Sequence, residues 1–95
     1  MRTIVLDGAE MTSRQSMHDH LARRLELPDY YGRNLDALFD CLSERGEATL
    51  LVLYRQEALR EAMGDYGENL IRVLLQAAQD NPRLALAIDG EDTER

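Results

Sequence analysis

Asp36 and Asp40 stand four residues apart in a segment whose apolar residues, Leu35, Leu38, Phe39 and Leu42, recur with helical spacing. On a helix that interval puts both carboxylates on one exposed face, which Ser43 and Glu44 continue. Two carboxylates so placed can share proton transfer, supply half of a metal site, or present a double negative charge to a cationic partner. The first two readings need companions. The chain offers no glycine-rich phosphate loop, no serine or cysteine with a matching histidine, and no histidine-carboxylate metal spacing. His18 and His20 lie two apart on a predicted helix, face different directions, and read as solvated or half-buried rather than as ligands. Cys41, beside the apolar stripe, reads as a small buried residue. No enzyme, metal or cofactor is expected.

The third reading fits the charge. Eighteen acidic against eleven basic side chains in 95 residues give a formal charge of -7, which repels phosphate backbones and anionic membranes and attracts a basic protein. Between Glu26 and Glu47 there are six acids (Glu26, Asp29, Asp36, Asp40, Glu44, Glu47) against Arg33 and Arg45, so this stretch carries much of the excess. Tyr30 and Tyr31 adjoin it, and tyrosine buries much area at an interface with little entropy loss. Either ring could instead pack beneath its loop with a satisfied hydroxyl.

The elements that must position these groups follow from the apolar pattern. Ile4-Val5-Leu6 predicts a short buried strand stopped at Asp7-Gly8, and Thr12 or Ser13 can cap a helix with the stripe Met17, Leu21 and Leu25. Pro28 to Gly32 predicts a loop, with Gly32 permitting the turn, and a helix runs from about Asn34 to Ser43. Thr49 to Tyr54, apolar throughout, predicts a central strand covered on both faces. Ala58 to Met63 and Leu70 to Ala78 mark two further helices, broken near Gly64 and Gly67, and Asn81-Pro82 stops the second. Leu84 to Ile88 makes a third strand. Helices between successive strands predict an α/β fold with a parallel three-stranded sheet and about four helices. One domain is expected over residues 1–89, with Gly90 to Arg95 a mobile acidic tail. A lone cysteine, no long apolar run and no signal-like N-terminus suggest the cytoplasm.

The run Leu27-Pro28-Asp29-Tyr30-Tyr31-Gly32-Arg33-Asn34-Leu35-Asp36-Ala37-Leu38-Phe39-Asp40-Cys41-Leu42 closely resembles the barstar family of intracellular ribonuclease inhibitors. The resemblance implies a barstar-like fold and a 1:1 partner, a small basic ribonuclease of the barnase-like, guanyl-preferring type. It implies that Tyr30, Gly32, Asn34, Asp36, Phe39 and Asp40 line the surface entering the nuclease cleft. Asp40 would go deepest as a phosphate mimic, Asp36 would engage a second cation, Tyr30 would stack near the catalytic histidine, and Asn34 would orient through its amide. Tyr31, Leu35, Ser43, Glu47 and Gln76 complete the expected partner-binding set. The free protein is expected to be a monomer, with no nucleic-acid or membrane contact. The competing reading is an interaction module that turns the same face to an unrelated basic protein.

Four positions depart from the family's best-known member. Gln76 replaces a glutamate, Phe39 a tryptophan, Arg45 another tryptophan, and Arg33 an acid. They predict a loss of one ionic contact, less apolar area, a positive charge at the rim and another inside the acidic loop.

Overall fold

The computed structural model describes residues 1–88. Residue 89 and the expected tail lie outside the described residues. The order is β1 (Arg2–Asp7), a single 3-10 turn (Gly8–Glu10), α1 (Arg14–Leu25), α2 (Leu35–Ser43), β2 (Thr49–Tyr54), α3 (Gln56–Met63), α4 (Asp65–Asp80) and β3 (Leu84–Ile88). The three strands form one sheet in the order β1-β2-β3, both pairings parallel, as the alternation of strands and helices predicts. No helix among the described residues is long and apolar enough to cross a membrane.

The register explains the core. Leu51 lies between Ile4 and Leu86, and Leu53 between Leu6 and Ile88, so one sheet face is a continuous aliphatic layer. The helices set Met17, Leu21, Leu25, Leu38, Leu42, Leu59, Leu70 and Leu74 into the same core. The expectation that β2 is covered on both faces is corrected. Thr49, Leu51 and Leu53 are buried, but Leu50 and Val52 are only half-buried and Tyr54 is exposed. An apolar run reads as two-sided burial, but here the neighbours of Leu50 and Val52 in register are the exposed residues Thr3, Val5, Ala85 and Ala87. These short side chains spread little apolar area, so the face needs no helix over it.

At the outer edge of β1, side chains of α1 satisfy backbone groups that a fourth strand would otherwise claim. His20 Nε2 accepts the Asp7 N–H at 2.9 Å, and Arg24 Nε donates to the Val5 carbonyl at 3.0 Å. The helix begins at Ser13, the second of the two candidate caps, in a reciprocal capping box with Ser16. It ends at Leu25, ahead of Pro28, where Glu26 takes the left-handed conformation with φ 55°.

Asn81 ties α2 to the end of α4. It is 5% exposed, and its amide nitrogen donates to the carbonyls of Leu42 and Arg45 at 2.9 Å each, while its oxygen accepts the Arg83 N–H at 3.0 Å. This fixes the C-terminal end of α2, and so the aspartate face, against the neighbouring helix. Asn81→Ala leaves the Arg45 carbonyl and the Arg83 N–H without these partners and removes the cross-link to the Leu42 carbonyl, and is expected to lower stability by about 3 kcal/mol. Urea unfolding measures this, and a loss of no more than about 0.5 kcal/mol, the size expected of an exposed substitution, would contradict the assignment.

Candidate functional site

The segment between α1 and α2 folds as a chain of local solutions. The Tyr31 N–H donates to the Pro28 carbonyl at 2.9 Å, closing the first turn. Asn34 caps α2, its oxygen accepting the Ala37 N–H at 2.8 Å, while its amide nitrogen donates to the Gly32 carbonyl at 3.2 Å. Both ends of the Asn34 amide thus serve the turn and the helix start. The left-handed residue is Arg33, with φ 57°, and not Gly32. Glycine at 32 eases the packing, since a Cβ there would sit tightly, 3.3 Å from both the Asn34 amide nitrogen and the Ala37 Cβ. The glycine thus serves a close approach, where the sequence suggested backbone freedom.

Beneath the loop the two tyrosines part. Tyr30 is 87% exposed and Tyr31 only 7%. The Tyr31 hydroxyl lies 2.6 Å from His18 Nδ1, and His18 Nε2 lies 2.9 Å from the Tyr66 hydroxyl on α4. His18 is thus a buried bridge joining α1, the loop and α4, and His20 is buried too. The expectation of solvated or half-buried histidines is corrected for both. A residue on a helix's exposed-looking face is drawn inward when backbone or hydroxyl groups there need a partner. Burial, then the charges of Arg33 and Arg14, lowers the His18 pKa, and burial pushes the Tyr31 hydroxyl well up. Neutral imidazole offers one donor and one acceptor, which matches two hydroxyls that can each play either part.

On α2, Leu38 and Leu42 are buried, Phe39 and Leu35 half-buried, and Asp36 and Asp40 exposed. Asp36 lies in the first turn, where the helix N-terminus favours negative charge. Neither aspartate has an ion pair among the described residues. A groove of about 380 Å³ runs between α2 and α4, lined by Asp36, Phe39 and Asp40 on one side and Arg72, Val73 and Gln76 on the other. A second depression of about 350 Å³ lies across Asp36, bounded by Arg14, Asn34, Leu35, Asp36 and Tyr66.

The remaining expected residues fall around this surface in different ways. Gln76 lines the groove and donates to Asp80 at 3.2 Å. Gly32 is exposed in the turn. Ser43 is half-buried, its hydroxyl shielded from solvent and without a hydrogen-bond partner among the described residues. Glu47 already meets Arg2 and Arg45, each at 3.4 Å. Arg45 is not a free charge at the rim. Its side chain is 14% exposed and turned inward, donating to Thr49 Oγ1 at 2.8 Å and to the Leu25 carbonyl at 3.4 Å. Arg33 is likewise turned back onto α1, paired with Asp19 and donating to the Gln15 carbonyl at 3.4 Å. Both positive charges that the sequence placed within the acidic stretch are therefore engaged elsewhere.

The model of the family described as "Barstar (barnase inhibitor)" matches residues 1–89. The chain belongs to the barstar family. It is also similar to the Bacillus subtilis (strain 168) protein named "Putative ribonuclease inhibitor YrdF", with 40% identity over 81 residues, covering 84% of this chain and 89% of that one. In this barstar-family chain, sequence reasoning missed Arg14, His18, Tyr66 and Arg72 at the site. Tyr66 and His18 are far apart in sequence, and no local spacing marks two residues that meet only through the fold.

The His18 bridge makes stability pH-dependent. A histidine whose pKa is lowered on folding binds its proton more readily when unfolded, so stability is full above the ordinary value of 6.5 and falls as pH drops below it. His20, lowered chiefly by burial, acts in the same direction. The urea midpoint is expected to fall between about pH 7.5 and pH 5.5, and His18→Gln to flatten part of that fall. A wild-type midpoint unchanged over this range would contradict the buried neutral assignment.

Proposed function

We propose that this protein inhibits a small basic ribonuclease of the barnase-like, guanyl-preferring type by occluding its active site one-to-one with the loop and α2, and that it does no chemistry of its own. The observation that carries this reading is the pair Asp36 and Asp40, exposed four residues apart and in no ion pair among the described residues, while Arg33 and Arg45 of the same stretch are bound elsewhere. A nuclease cleft gathers cations to hold a phosphate and to stabilise developing negative charge. Asp40, midway along α2, would take the phosphate position and Asp36 a second cation, giving the cleft an anion with no bond to cleave. Tyr30, fully presented by its loop, would add a flat ring over the catalytic group. Asn34, whose amide is used internally, contributes by fixing the turn. Tyr31 contributes from below by holding the loop to His18. The similarity to a relative whose name describes a ribonuclease inhibitor supports the same reading. Such an inhibitor acts where the nuclease would otherwise meet the cell's own RNA, which places it in the cytoplasm as an immunity protein. It needs no cofactor and no self-association.

Stoichiometric protein is expected to abolish RNA cleavage by at least one member of a panel of barnase-like ribonucleases, measured with a fluorogenic RNA. Asp40→Ala should leave a nuclease cation buried and unpaired, weakening inhibition by about 3 kcal/mol, roughly a hundredfold or more in Kd. Glu61→Ala, an exposed change on α3, should leave it within about twofold of wild type, since an exposed charge outside an interface contributes little. Raising salt should slow association, because surface charges steer only within a Debye length of about 10 Å at 0.1 M. Equal losses from Asp40→Ala and Glu61→Ala would show that bulk charge alone is at work.

A further inference from the structure

The surface around the aspartates is not uniformly acidic. Asp36 borders both depressions, with Arg14 in one and Arg72 in the other, so the surface reads positive, negative, positive across α1, α2 and α4. Among the described residues neither arginine has an ion pair. Arg72 donates to the neutral Asn69 oxygen at 2.9 Å, and Glu68, the acid one turn before it, is paired with Arg60 instead. Arg14 lies 4.1 Å over the Tyr66 ring. It is also the first residue of α1, where the helix dipole disfavours a cation. A side chain kept against its local preference, exposed beside the candidate site, marks a place where function competes with stability.

We infer that Arg14 and Arg72 are specificity-determining residues that read carboxylates on the partner, so that the cognate ribonuclease has a basic cleft bordered by acidic side chains. The inference rests on the ribonuclease reading and deepens it. Asp36 and Asp40 meet the cations common to such clefts, and the two arginines select among them. A nuclease with neutral or basic flanks would meet two uncompensated guanidinium groups and be disfavoured. Gln76 fits the same pattern, since its amide adds no further acid to the groove it shares with Arg72.

The test uses Arg72→Glu, Arg14→Glu and the exposed Arg83→Glu in the full chain, each assayed against the panel member that the wild type inhibits most tightly. All three add the same negative charge to a protein already at -7. If only bulk charge mattered, all three would bind a basic nuclease as tightly as wild type or more so. The expected result is the opposite sign for two of them, with Arg72→Glu and Arg14→Glu weakening inhibition about tenfold, and Arg83→Glu leaving it unchanged or slightly tighter. Arg14→Glu relieves the dipole conflict in α1, so a thermal midpoint at or above that of wild type alongside weaker inhibition would exclude misfolding as the cause. If Arg72→Glu and Arg14→Glu inhibit as well as Arg83→Glu does, the inference is overturned and the ribonuclease reading stands. A wild type that inhibits no member of the panel removes that reading, and this inference with it.

Discussion

A buried imidazole held between two tyrosine hydroxyls governs how the rest of this surface is presented. Without it the loop from Leu27 to Asn34 would be tied down by its turns, the packing of Leu27 and the exposed Arg33–Asp19 pair, and Tyr31 would be a bulky ring with a polar tip to satisfy. His18 accepts and donates at once, 2.6 Å from the Tyr31 hydroxyl and 2.9 Å from that of Tyr66, so one side chain on α1 docks both the loop and α4. The bond works because the ring is neutral. Protonation would make both nitrogens donors and require both hydroxyls to accept, leaving one of the two hydroxyl protons without its acceptor. Burial and the neighbouring guanidinium groups suppress that state.

The second constraint is electrostatic. An acidic protein can display a pair of aspartates only if its own arginines do not neutralise them, and the fold arranges this by giving each nearby base another anchor. Arg33 is drawn to Asp19, Arg45 into the corner between α1 and β2, and Arg2 to Glu26 and Glu47. Glu26 and Glu47 are thereby taken out of the exposed negative field, which is left to Asp29, Asp36, Asp40 and Glu44. The charge excess counted along the segment becomes a narrower feature in space, centred on the face of α2.

What the sequence disclosed and what it hid divide along physical lines. The helix pattern and the aspartate face depend on the 3.6-residue period, the strands on short apolar runs, and the parallel sheet on helices falling between strands, all of which a single chain displays. Asn34 was legible as a helix start, and Ser13 as one of two candidates with Thr12, because caps are local. The hidden features all depend on contacts between distant residues. Nothing near Tyr30 and Tyr31 says which ring turns inward, since that is decided by His18 and Tyr66. Nothing near Arg33 or Arg45 announces that Asp19, Thr49 and the Leu25 carbonyl will hold them. Gly32 invites a conformational explanation, yet its neighbour Arg33 takes the left-handed backbone and the glycine yields room to Asn34 and Ala37. The apolar strand β2 misled because burial on its second face depends on how much area its neighbours in register add.

These two constraints bear differently on change. The His18 bridge, the Asn34 cap and the Asn81 tie are buried or spent on backbone groups, so altering any of them disturbs the position of every residue on the surface. Gln76, Arg72 and Arg14 lie at the rim, exposed, the first two bonded only within α4 and Arg14 touching α4 through the Tyr66 ring. A substitution there changes the pattern of charge offered to a partner while leaving the aspartates, the loop and the helix where they are. Rim and frame are therefore separable: the charge pattern at the rim can change while the frame keeps the aspartate face where it is.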